Sequence, residues 1–133
     1  MHALTGTALG RAALALTASD VLHALDHARQ SRDLAGPVCA AGVAGWIALA
    51  IVLVLVARRH RLAAPYAAGV GVSVAVGFVA VHLAPHWSTF SDPYPDANVD
   101  ALSWALVVVP VVAAVNLIAT ALRAGGRARQ SYV

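Results

Sequence analysis

Across positions 38–57 the chain carries no charged side chain. About 20 mainly apolar residues are what a helix needs to cross the hydrocarbon core of a bilayer. Inside that core every backbone amide must be satisfied within its own segment, which leaves helices and closed barrels as the only spanning forms. Three more stretches share this character, so four spanning helices are predicted, over 9–28, 37–57, 65–86 and 101–122. Only 11% of the residues are charged and the mean hydropathy is +0.75, against roughly 25% charged in an ordinary soluble domain. The expected fold is an all-α, polytopic membrane protein. Residues 1–122 would form one antiparallel four-helix transmembrane bundle, and 123–133 a flexible, basic cytoplasmic tail.

The first of these spans is the most interrupted, by Asp20, His23, Asp26 and His27. A secretory signal peptide is its rival, with Arg11 as the basic region and 12–18 as the apolar core. No small-x-small cleavage site leads cleanly out of that core, which favours a retained helix.

Arginine supplies all nine positive charges. With four spans, the termini and the middle loop share one side, and that side holds Arg11, Arg58, Arg59, Arg61, Arg123, Arg127 and Arg129. The other side holds Arg29 and Arg32. Cytoplasmic loops carry the excess of positive residues. An integral protein of the plasma membrane is therefore expected, with both termini cytoplasmic and the loops 29–36 and 87–100 outside. This asymmetry accounts for the pI of 9.8 without a nucleic-acid partner. Short loops make successive helices antiparallel neighbours. Gly42, Gly45, Gly69, Gly71, Ser73 and Gly77 allow close approach in lipid. Pro110 should kink the last helix or leave a carbonyl to be re-satisfied, with Asn116 near enough to help. Trp87, Tyr94 and Trp104 suit the outer interface. Cys39 is the single cysteine, so no intramolecular disulfide can form.

All six acids, Asp20, Asp26, Asp33, Asp92, Asp96 and Asp100, fall on the outer side with four of the six histidines. Ionisable groups at membrane depth are costly and mark function. The histidines form two pairs, His23-x-x-x-His27 and His82-x-x-x-His86. On a helix, Asp20, His23 and His27 make one stripe, and each pair reaches a similar height. Convergence of His23, His27, His82 and His86 in one outward-facing site is expected, with Asp20 below and Asp92 above. Four imidazoles and a carboxylate suit a transition metal, zinc first. Three histidines would leave an open position, and zinc lowers the pKa of a bound water to about 7. A structural polar network and a proton- or ion-handling site are the other readings of the same stripe. Arg29 could hold an anionic group of a substrate or pair with Asp26 or Asp33. Trp87 opens an aromatic, acidic loop able to cap a pocket above the histidines.

Ser19-x-x-x-His23, a nearby aspartate and His82-x-x-x-His86 together resemble the pattern of the alkaline ceramidase and adiponectin-receptor superfamily, which are membrane zinc hydrolases. The resemblance implies zinc on His23, His82 and His86, an assisting Ser19, and one of Asp20, Asp26 or Asp33 positioning the water. It covers no continuous stretch. It departs from the family in having four predicted helices instead of seven, and His27 has no counterpart.

Three kinds of function fit these residues. One is a metal-dependent hydrolase acting on a lipid or amphiphile at the outer leaflet. Another is a non-enzymatic carrier of metal or of haem b, which paired histidines can ligate axially. The third is an accessory subunit that docks a larger membrane partner or a second copy of itself.

Overall fold

The computed structural model describes residues 2–31, 33–96 and 98–130. All regular structure among them is helical. A short α1 (His2–Thr5) precedes α2 (Ala8–Arg29), α3 (Gly36–Ala57) and α4 (Ala63–Phe78); a π-helical turn (Val79–Leu83) extends α4; a 3₁₀ turn (Tyr94–Asp96) leads to α5 (Ala101–Gln130). Three helical stretches are long and apolar enough to cross a membrane: Gly36–Ala57, Ala63–Leu83 and Ala101–Gly126. With 22 residues, α2 is about 33 Å long, but Arg11, Asp20, Asp26 and Arg29 keep it out of that set. The last helix runs well past position 122, so the described part of the expected flexible tail is helical.

Local chemistry sets the helix ends. Thr7 caps α2, its hydroxyl accepting from the Gly10 N–H at 3.0 Å. At the far end of α3, Arg59 takes a positive φ of 51° and the His60 N–H reaches back to the Leu55 carbonyl at 2.9 Å. That is a Schellman closure built without glycine. Asp100 caps α5 by accepting the Ser103 N–H at 2.9 Å, satisfying one of the orphan donors of a helix start.

Helix α5 packs against α2 and α4, and α3 also packs against α2 and α4. Helices α2 and α4 therefore face each other across the group instead of lying side by side. The apolar core comes from Ala12, Ala13 and Leu16 of α2, Leu49, Val52 and Val56 of α3, Ala63, Ala67 and Val70 of α4, and Ala114, Leu117 and Ala121 of α5. The small side chains bring backbones close. A Cβ on Gly71 would stand 2.8 Å from Ile118 Cγ1 and 3.1 Å from the Ala114 carbonyl oxygen. Only the second half of α3 joins this core; its first half is largely exposed.

Candidate metal centre

The inward face of α2 continues from Leu16 through Ser19, His23, Asp26 and His27, all buried. Its outward face carries Val21, Leu22 and Leu25, all exposed. Polar residues inside and apolar residues outside invert the ordinary arrangement of a water-soluble helix.

His23 Nε2 lies 3.0 Å from His27 Nε2 and 3.2 Å from His82 Nε2. One nitrogen from each of the three rings falls within 4.8 Å of the others. Three ring nitrogens so arranged could hold a metal ion. At the ordinary zinc–histidine distance of 2.0–2.1 Å, tetrahedral ligand atoms stand about 3.3 Å apart. Two of the observed separations are close to that.

Of the two expected histidine pairs, one reaches the site as a pair and the other does not. His27 follows His23 by one turn of regular helix, as expected. His86 does not follow His82. The π-turn carries the Ala84 N–H back to the Val79 carbonyl at 2.9 Å, and Ala84 is extended, with φ −74° and ψ 151°. Pro85 disfavours helical backbone in the residue before it, so the helix stops at Leu83 and His86 lies exposed on the bend. Nor are the two histidine-bearing helices neighbours. The rings meet because α2 and α4 both project them into the middle of the group.

The carbonyls stranded at this helix end are taken up by the following loop. Trp87 Nε1 donates to the Ala80 carbonyl at 2.7 Å. The Asp92 N–H donates to the Val81 carbonyl at 2.9 Å. Asp92 is thereby held behind His82, its own carbonyl oxygen 3.2 Å from His82 Nδ1 and its carboxylate 3.7 Å away. It stands on the side of the ring opposite the Nε2 cluster, where it orients the imidazole, and it is not among the three clustered ligands. A ligating histidine normally has such a partner on its other nitrogen.

Two aromatic rings wall the cluster. Phe78 lies 4.7 Å from the His23 ring by centroids, and Tyr94, 1% exposed, lies 4.8 Å from His82. Tyr94 also stacks edge-on with Trp104 at 5.8 Å. The sequence places Tyr94 at the interface; its flanks, Asp92-Pro93 and Pro95-Asp96, give no sign that the loop folds inward. Beside the histidines, a cavity of about 660 Å³ runs between α2, α4 and the exposed half of α3. Asp20, His23, His27, Ser73 and His82 are its polar lining, amid residues such as Val38, Gly42, Trp46 and Val74. Asp20 and Trp46 both line it, from α2 and α3.

The other site residues expected from sequence lie elsewhere. The Ser19 hydroxyl is buried and donates to the Leu16 carbonyl at 2.8 Å. Arg29 is committed to α5: its Nε donates to Asp26 at 2.8 Å, and one terminal nitrogen reaches Asp100 at 2.9 Å and Ser103 at 3.1 Å. Trp87 is exposed, and neither it nor Arg29 lines the cavity. Asp100 ties the C-terminal end of α2 to the N-terminal end of α5. Ser103 and the Arg29 guanidinium hold its carboxyl below the usual carboxylate range.

No family model, no curated protein and no solved structure matches this chain.

Proposed function

We propose that this chain is an integral membrane metalloprotein that binds one transition-metal ion, zinc in the first instance, through His23, His27 and His82. The convergence of their ring nitrogens carries the reading. Zinc on three histidines keeps a fourth position open and supplies an activated water. The adjacent cavity is mainly apolar, with Asp20, Ser73 and the histidines as its polar groups, which favours an amphiphile whose hydrocarbon part lies between α2, α3 and α4. Hydrolysis of a lipid-like ester or amide is the activity this combination supports best. Asp20 is the carboxylate on the cavity wall from which a proton could be exchanged. The parallel with membrane zinc hydrolases of the ceramidase and adiponectin-receptor type then holds as shared chemistry, on a ligand set that exchanges His86 for His27.

In this reading α2 is a fourth span. Its inverted polarity supports that, since Val21, Leu22 and Leu25 face outward while His23, Asp26 and His27 turn inward. The four long helices form an antiparallel bundle with both termini cytoplasmic, following the arginine asymmetry. Close packing of the three rings with Phe78 and Tyr94 favours a single ion over haem. A metal carrier without turnover uses the same ligands, and the assay below separates the two. Protein purified without a histidine tag should retain near-stoichiometric zinc, and the loaded protein should cleave amphiphilic esters or amides faster than the chelator-stripped protein. Zinc without cleavage leaves the carrier. Absence of any bound or bindable metal removes both.

A further inference from the structure

At the end of the helix group away from the histidines, a second cavity of about 780 Å³ opens between the start of α2, the α3–α4 loop and the last turns of α5. Its wall is apolar where the helices form it, from Leu9, Val56, Ala68 and Leu122. Its rim is basic where the loop crosses it, from Arg59, His60 and Arg61. The change from one to the other falls at the ends of two spans, since one stops at Ala57 and the next starts at Ala63. In a membrane the apolar part lies at the depth of the hydrocarbon and the three basic residues at the depth of the headgroups.

Among the described residues no acid lines this cavity, and neither Arg59 nor Arg61 forms an ion pair. The six acids of the chain, at positions 20, 26, 33, 92, 96 and 100, belong to other segments. The counter-charge for the rim therefore comes from outside the chain. His60 accepts the Leu62 N–H on Nδ1 at 3.2 Å, which leaves Nε2 as the protonated, donating nitrogen of the neutral ring. The first turn of α4 also lines the cavity and carries no acidic residue, so the partial positive charge of a helix start adds to that of the arginines. Topology alone does not ask for this arrangement. Orientation follows how many basic residues a loop carries and is indifferent to whether they ring a cavity. Arg58, exposed in the same loop, does not line it.

We propose that this cavity binds one anionic phospholipid of the adjoining leaflet, its phosphate held by Arg59 and Arg61 and an acyl chain seated against Leu9, Val56 and Leu122. Basic pockets between spanning helices at headgroup level are suited to anionic lipid, and the planar fork of arginine meets two phosphate oxygens at once. The site needs only the spanning helices, and it stands or falls independently of metal at the other end.

The test is native mass spectrometry of the full chain in nonionic detergent, titrated with phosphatidylglycerol or with phosphatidylcholine of the same acyl chains. Wild-type protein should retain one phosphatidylglycerol and prefer it to phosphatidylcholine. Arg59 stands at a φ of 51°, where glycine is the unstrained residue, so Arg59→Gly removes the guanidinium without harming the turn. Arg59→Gly and Arg61→Gln should each weaken phosphatidylglycerol about fivefold, the factor for one basic residue near an anionic surface, and narrow the preference. Arg58→Gln takes the same charge from the same loop outside the cavity and should change neither. Gly126 lines the cavity, and a Cβ there meets nothing within 4 Å. Gly126→Leu, which also favours helix, should fill the space and weaken both lipids. Equal retention of the two lipids, or a Gly126→Leu protein that binds them as wild type does, overturns the proposal. So does an Arg58→Gln effect as large as that of Arg59→Gly, which would mean attraction by the summed charge of the loop only. Glycerol phosphate that displaces the lipid as effectively as phosphatidylglycerol itself would make a soluble phosphate the ligand and overturn it too.

Discussion

His23 and His82 are 59 positions apart in the chain, yet their Nε2 atoms lie 3.2 Å apart in the middle of the helix group. They belong to helices that face each other without packing side by side, since α3 and α5 fill the places between. The contact is therefore made by the side chains, and it depends on the small residues that let the backbones close in around it.

Gly71 is one of those residues. Replacing it by alanine places a methyl group against Ile118 and the Ala114 carbonyl. Overpacking of this kind costs about 1–3 kcal/mol, partly offset by the roughly 1 kcal/mol advantage of alanine in a helix. Gly71→Ala should lower the thermal midpoint in detergent. Gly69→Ala, where a Cβ meets nothing within 4 Å, should leave it unchanged or raise it.

Asp100 gives a pH dependence. The Ser103 backbone N–H and hydroxyl, with Arg29, hold its folded pKa below the ordinary 3.8. A group depressed on folding contributes stability above its unfolded pKa and loses it as pH falls through the folded value. The stability difference between wild type and Asp100→Asn should therefore be constant near neutrality and shrink below about pH 4. An acid-unfolding series on both proteins checks this. A difference that stays constant to low pH would show that Asp100 is not tied to Arg29 in solution.

Much of this architecture was legible from residue order. The apolar run over 37–57 becomes Gly36–Ala57 within a residue, because a spanning helix is specified by length and lack of charge alone. His23 and His27 were readable as one face because α2 is regular through both. His86 was misplaced because H-x-x-x-H implies a shared face only on an unbroken α-helix, and the π-turn at Val79–Leu83 leaves no mark in composition. Pro85 was the available signal, and it does more than bend the helix. Arg29 reads as a substrate contact or a partner of Asp26 or Asp33; the Asp26 pair is present, but its other partner, Asp100, lies 71 positions away, beyond any local pattern. Tyr94 and Phe78 are ordinary apolar side chains until the loop folds inward.

Topology can be tested in intact cells on a Cys39→Ala background. A cysteine at Asp96 should react with an impermeant thiol reagent, and one at Arg59 should not. The opposite pattern would invert the orientation and place the metal site on the cytoplasmic side.

The polar stripe on α2 should also show in membrane insertion. Asp20 near a helix centre costs about 2.5–3.5 kcal/mol on insertion scales. Replacing Asp20 and His23 by leucine should improve insertion of the isolated segment while removing metal binding from the full chain. A double variant that still binds metal would make the stripe structural only.

The most direct measurement is the metal content of untagged protein and of single histidine variants, by elemental analysis after purification in detergent. The account predicts near-stoichiometric zinc in the wild type and loss of most of it in His23→Ala, His27→Ala and His82→Ala. His86→Ala and His60→Ala should keep the wild-type content, since neither ring belongs to the cluster. Metal that survives loss of His23 or His82, or that disappears with His86, would contradict it.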